Sequence, residues 1–156
     1  MSQSESVLFA QARVEALLAS AAASPRKRSH LLLHAGHEDL VQRLLIAAQP
    51  GTYVRPHKHS EQWELLTVLR GELDLLLFRD NTVVQRCRMN SSSPVAQIEP
   101  AMLHTCVVNM PNTLILEVKP GPYRSNEFAA WAPQEQSAGA EKFERRLRGL
   151  GLGDCL

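Results

Sequence analysis

Turn residues punctuate this chain so regularly that few folds other than an all-β one can accommodate them. Pro50-Gly51, Arg70-Gly71, Asp80-Asn81, Ser91-Ser92-Ser93-Pro94, Glu99-Pro100, Pro111-Asn112 and Pro120-Gly121 each sit where a chain reversal is needed. Between them run short stretches rich in Leu, Val and Ile, spaced roughly eight to twelve residues apart, which is the rhythm of a sandwich or barrel. The predicted strands are residues 40–48, 52–58, 63–69, 72–78, 82–88, 95–98, 104–108 and 113–118. Seven or eight strands at this spacing suit a jelly roll. The 156 residues suffice for one domain, which at this size buries roughly two-thirds of the surface of its unfolded chain and needs no disulfide staples.

The flanks read differently. Residues 2–23 are expected to be helical: Ser2 and Glu5 form a capping box, and Val7, Ala10, Val14, Leu17, Leu18 and Ala21 recur at helical spacing until Ser24-Pro25 stops them. The basic run Arg26-Lys27-Arg28 reads as a solvated connector. Residues 140–148 lean towards helix with Phe143 and Leu147 on one face, and the tract Gly149–Gly153 is expected to fray or to pack against a partner. The expected organisation is therefore an N-terminal helix and linker (1–28), a β-barrel (29–120) and a C-terminal extension (121–156).

Charge excludes several partners. Seventeen basic residues against sixteen acidic ones leave a formal charge of +1, too little for the electrostatic footprint of nucleic-acid binding. Cys87, Cys106 and Cys155 are odd in number and far apart, which argues for a reducing compartment, the cytoplasm. Glu5, Arg13 and Glu15 interrupt the apolar run before the alanine-rich stretch 16–23, so it reads as mature sequence rather than a signal peptide. No stretch reaches the roughly 18 apolar residues of a membrane span. A homodimer is expected, since an open jelly roll leaves sheet edges to cover and the N-terminal helix has an apolar stripe.

The chemistry concentrates between Gly51 and Gly71. On a strand, residues two apart share a face, so His57 and His59 can offer imidazole nitrogens to one ion. Glu64 lies an odd number of residues beyond His59, so a bend or bulge near Ser60-Glu61 must turn it inward. His104, at the start of a strand after the turn at Glu99-Pro100, supplies a fourth ligand from another part of the sheet. Three imidazoles and one carboxylate suit a divalent iron, manganese, nickel or zinc ion, and four protein ligands on an octahedral ion leave two positions for water or substrate.

The spacing Gly-x5-His-x-His-x4-Glu-x6-Gly, met from Gly51 to Gly71 at every specified position, resembles the first cupin motif. The second motif, Pro-x-Gly-x-x-His followed by Asn, is met loosely: Pro100 lies one place nearer His104, Ala101 takes the glycine position and Asn109 falls one place late. Val41-Gln42-Arg43-Leu44-Leu45, Tyr53-Val54-Arg55-Pro56-His57-Lys58-His59, Trp63-Glu64, Gly121-Pro122-Tyr123 and Phe128-Ala129-x-Trp131-Ala132-Pro133 resemble the WbuC family of cupin metalloproteins, over roughly residues 25–135. That resemblance implies a cupin jelly-roll barrel with a bound metal, and a setting in bacterial surface-polysaccharide biosynthesis, without a settled reaction.

Tyr53 and Arg55 share the face parity of the histidine pair and are candidate catalytic groups: Arg55 for a carboxylate or phosphate, Tyr53 as a proton donor. Cys106, two residues past His104, shares its face and reads as a small buried thiol. Trp63 and Trp131 read as core or interface aromatics, and His30, His34 and His37 as surface or loop residues. A divalent ion with one carboxylate carries excess positive charge, which favours a small anionic or sugar-like ligand. Isomerase or epimerase chemistry, an iron-dependent oxygenase and a non-catalytic binding or sensor module all stay open on sequence.

Overall fold

The computed structural model describes residues 11–156, so Ser2, Glu5, Val7 and Ala10 of the expected helix lie outside the described residues. Helix α1 (Gln11–Ala23) occupies the rest of that span and ends ahead of Pro25. Ten strands follow: β1 (Arg28–Leu32), β2 (Val41–Ala48), β3 (His57–Lys58), β4 (Glu64–Arg70), β5 (Leu73–Arg79), β6 (Thr82–Met89), β7 (Val95–Ile98), β8 (Leu103–Val108), β9 (Thr113–Pro120) and β10 (Glu127–Phe128). Helix α2 (Ala140–Gly149) comes last. The strands form two five-stranded antiparallel sheets, ordered β1-β2-β9-β4-β7 and β10-β3-β8-β5-β6, as a jelly roll requires.

Strand alternation sorts the side chains into layers. On the first sheet, Leu45, Ala47 and Leu114 face outward and meet Leu17, Leu18 and Ala21 of α1. The inner faces of both sheets share a core of Leu66, Val68, Leu73, Leu75, Met89, Ile98 and Ile115. On the far side, Leu76, Phe78, Val83 and Val107 pack against Leu147 and Leu150 of the α2 region. Each buried aliphatic side chain contributes roughly 1.5–3 kcal/mol of transfer free energy, so the helices stabilise the sheets by covering outer faces that would otherwise be wet.

An ionic clamp fixes α2. Asp74, buried on the outer face of β5, accepts hydrogen bonds from Arg86 Nη2 at 2.6 Å and Arg88 Nε at 3.0 Å. Arg86 Nη1 also donates to the carbonyls of Arg148, at 3.1 Å, and Leu150. These carbonyls end the helix, where they lack intrahelical donors and carry the negative end of the dipole.

Three expectations need correction. Arg28 is not a solvated connector residue: it opens β1, and its guanidinium donates to Tyr53 O at 2.7 Å and to Glu135. The strand expected at 52–58 shrinks to His57–Lys58, because Pro56 has no N–H for a ladder and side chains anchor the approach, with Thr52 Oγ1 donating to Arg26 O at 2.7 Å. The C-terminal tract does not fray: Gly153 N donates to Val83 O at 2.8 Å and Leu156 N to Asn81 O at 2.9 Å, tying it to the start of β6.

Gly71 turns the chain from β4 into β5 with φ of +83°, and a Cβ there would lie 2.8 Å from Thr113 Cα. Both facts demand glycine. Gly71→Ala is expected to cost about 1–3 kcal/mol, read as a lower urea midpoint at unchanged slope.

Candidate metal centre

His57 and His104 face one another across β3 and β8 as a directly paired register position, with ring centroids 4.5 Å apart. Each imidazole is aimed by its own strand. His57 Nδ1 bonds Arg55 O at 2.9 Å and His104 Nδ1 bonds Met102 O at 2.9 Å. A carbonyl only accepts, so the proton sits on Nδ1 in both rings and each Nε2 keeps its lone pair for the interior.

His59 lies just beyond β3, and the turn before β8 holds it: Ala101 N donates to His59 O at 2.8 Å and Met102 N to Glu99 O at 3.2 Å. The glycine position of the second motif, Ala101, has φ of +64°. A Cβ in that region costs roughly 1–2 kcal/mol, partly offset by the smaller unfolded-state entropy of alanine. Ala101→Gly is therefore expected to raise the thermal midpoint by about 1–4 °C.

Glu64 arrives from the other sheet. β3 belongs to one sheet and β4 to the other, and residues 59–63 cross between them. The parity change expected near Ser60-Glu61 is thus a sheet crossover rather than a bulge within one strand. Buried Gln62 anchors it, its Nε2 donating to Pro122 O at 3.1 Å.

The ligand atoms of His57, His59, Glu64 and His104 all lie within 4.8 Å of one another, and the four residues are 8%, 5%, 4% and 2% exposed. Donors on opposite sides of one ion stand about 4.0–4.4 Å apart, twice a bond of 2.0–2.2 Å, so a contraction of roughly half an ångström at the widest pair lets all four share a cation. His59 Nε2 sits 2.7 Å from Glu64 Oε2 and His104 Nε2 3.7 Å from the same oxygen. None of these three atoms has a hydrogen-bond partner, the close His59–Glu64 approach included. Buried polar atoms without partners are costly; here they converge, as lone pairs around an ion do.

The electrostatics suit ligation. Burial, then the charge of His104, pushes His57 down to about 3, and burial likewise lowers His104. Both rings are neutral donors at physiological pH. Burial alone would raise the Glu64 carboxyl, but His59, His104 and Lys119 outweigh it and hold the group well below its ordinary range. The carboxylate is therefore ionised.

The cluster opens into a cavity of about 450 Å³ between the sheets. Leu44, Ile46, Leu66, Val108 and Ile115 give it an aliphatic wall, and Cys106 joins them. Burial raises the Cys106 thiol far above neutrality, so it is an inert wall group, as its strand parity implied.

Polar groups that the sequence did not disclose also line it. Glu117 and Lys119, both on the inner face of β9, form an ion pair of 2.9 Å. Glu135, from the segment before α2, pairs with Arg26 at 2.8 Å and Arg28 at 2.6 Å. His30 lines the cavity too, whereas His34 is buried elsewhere and accepts from Arg43 N at 2.9 Å.

Arg55 lines the cavity. Tyr53 does not: it packs edge-on against Phe143 at 5.8 Å, and its hydroxyl donates to Pro133 O at 2.9 Å. The parity that linked it to His57 assumed a continuous strand that Pro56 interrupts. Trp131 packs between Phe78 and Phe143, and Trp63 is exposed on the crossover.

Residues 9–89 match the family described as a domain of unknown function, DUF6016. The chain belongs to that family. The DUF6016 match takes in His57, His59 and Glu64 and stops short of His104. No curated protein matches the sequence.

Among solved structures, the chain resembles a Klebsiella pneumoniae protein with a double-stranded β-helix domain (TM-score 0.60, 16% identity, 80% of this chain and 98% of that one). It also resembles a cupin-superfamily sugar phosphate isomerase from Silicibacter pomeroyi (TM-score 0.52, 22% identity, 66% of each chain). KdgF from Halomonas sp. is similar as well (TM-score 0.52, 15% identity, 65% of this chain and 85% of that one). These likenesses give the DUF6016 chain a cupin fold.

Proposed function

We propose that this chain is a mononuclear, metal-dependent cupin of WbuC type that acts on a small anionic or sugar-derived molecule in bacterial surface-polysaccharide metabolism, with isomerase- or epimerase-like chemistry. The observation that carries the reading is the convergence of His57, His59, Glu64 and His104, with buried donor atoms of His59, Glu64 and His104 left without hydrogen-bond partners. An iron, manganese, nickel or zinc ion fits that donor set. The description of the Silicibacter pomeroyi neighbour as a sugar phosphate isomerase supports the substrate class.

A divalent ion held by His57, His59, Glu64 and His104 would supply Lewis-acid polarisation of a substrate carbonyl oxygen. The chain's own residues do the rest. Glu117 is the proton carrier: burial, the largest influence on it, raises its carboxyl against the pull of Lys119. A raised carboxyl brings the exchange between its two protonation forms towards neutral pH, as general acid–base work requires. Lys119 orients the carboxylate, and the aliphatic wall excludes water from the exchanging proton.

The same reading makes the protein a cytoplasmic homodimer. β1 ends its sheet, and Leu32, Leu40 and Val41 beside that edge are exposed, where a second copy would cover them. A monomeric mass by light scattering would remove this part of the proposal.

Elemental analysis combined with turnover decides among the chemistries. Oxygen-independent interconversion of sugar phosphates or nucleotide sugars by the metal-loaded protein is the expected result. Substrate-dependent oxygen uptake with iron would replace this reading by an oxygenase. Tight binding without turnover would replace it by a binding module.

A further inference from the structure

We infer that Arg55 anchors an oxyanionic group, a carboxylate or a phosphate, on the molecule that fills the cavity. Four arginine and lysine side chains line that space, and three already have an acidic partner: Arg26 and Arg28 share Glu135, and Lys119 pairs with Glu117. Arg55 has no acidic partner among the described residues. Its Nε is buried without a hydrogen bond, and only Nη2 is committed, donating to Ala129 O at 3.2 Å. A guanidinium has five N–H donors, so most of this fork is unspent on a half-buried side chain whose Nε, shut off from solvent, lacks an acceptor.

The fork is also held in place. Its carbon lies over the Phe128 ring, 4.9 Å from the ring centre, a cation–π contact that restrains the guanidinium. Phe128 pairs with His57 across β10 and β3, and His57 with His104 across β3 and β8, so the three rings form one row. Arg55 stands beside the outer end of that row and the His/Glu cluster at its inner end. A molecule with oxygen donors at one end and an oxyanion at the other spans the two. Its first half rests on the metal-centre reading, whereas the Arg55 half stands on the unpaired guanidinium.

Calorimetric titration of the cobalt(II)-loaded and metal-free proteins with phosphate, malonate and, as a neutral control, glycerol tests this. Arg55→Gln should weaken the anions by at least about tenfold, leaving glycerol and cobalt content unchanged. Arg55→Lys should recover part of the loss, keeping the charge without the fork. Whichever anion loses more identifies the group recognised. Equal anion affinities in wild type and Arg55→Gln would overturn the proposal, as would wild-type affinities weaker than about 10 mM. Should Arg55→Gln fail to fold, Phe128→Leu at its half-exposed site should weaken the same anions by about two- to fivefold, and no change would count against the idea. If wild type takes up no cobalt, the metal-centre reading falls, while the metal-free titration still decides Arg55.

Discussion

Protein carrying Glu64→Ala is expected to be purified without metal, under conditions in which the wild type holds one divalent ion per chain. Glu64 is the only negative group among the four converging donors, and its Oε2 is the atom nearest both His59 and His104. Removing it deletes a bond and leaves neutral imidazoles to hold a doubly charged ion in a buried site. Loss of groups that merely orient metal ligands costs about 10–100-fold in affinity, so loss of the charged ligand itself should cost at least about 100-fold. Glu64→Gln separates charge from shape, and should lose most of the same affinity. Elemental analysis after dialysis reads both. Stoichiometric metal in the alanine variant would place the ion elsewhere.

Asp74→Ala should give the largest loss of stability. It leaves Arg86 and Arg88 without their shared carboxylate and loosens the guanidinium that caps α2. Breaking a fully buried ion pair from one side costs about 3–5 kcal/mol; with Arg86 and Arg88 partly solvated the loss here is about 2–4 kcal/mol, which for a chain of this size lowers the thermal midpoint by roughly 4–16 °C. The effect has a pH signature. Burial alone would raise the Asp74 carboxyl, but hydrogen bonds from Arg88 and Arg86 hold it below its ordinary 3.8. A depressed carboxyl stabilises the fold fully above the unfolded value and loses that contribution as pH falls through the folded one. Wild type and variant should therefore differ by a constant amount between pH 6 and 8 and approach one another below about pH 4. Urea melts at pH 7 and pH 3 check this, and an undiminished gap at pH 3 would assign the loss to packing.

The fold was legible because turn chemistry and strand alternation are local. Gly71, Asp80-Asn81 and Pro111-Asn112 mark reversals that the structure makes, with Asp80 and Asn112 at positive φ, and the strands from β4 to β9 begin within one residue of expectation. Errors arose where non-local contacts decide. β1 was hidden because Arg28 looked like part of a charge run until Glu135, 107 residues away, neutralised it. Tyr53 was misplaced because parity fails across Pro56, and Glu64 reached the cluster through a change of sheet that no periodicity encodes. Glu117 and Lys119 left a signal that could have been used: two opposite charges, two residues apart, on the inward face of a strand whose interior positions are otherwise Leu, Ile and Val.

The crossover at residues 59–63 has a mechanical corollary. Two of the four donors belong to one half of the sandwich, one to the link and one to the opposite half. A cation gripped by all four would act as a rivet through the end of the barrel. A guest that wedged the halves apart would then draw Glu64 away from the histidines, coupling grip on the ion to the width of the chamber.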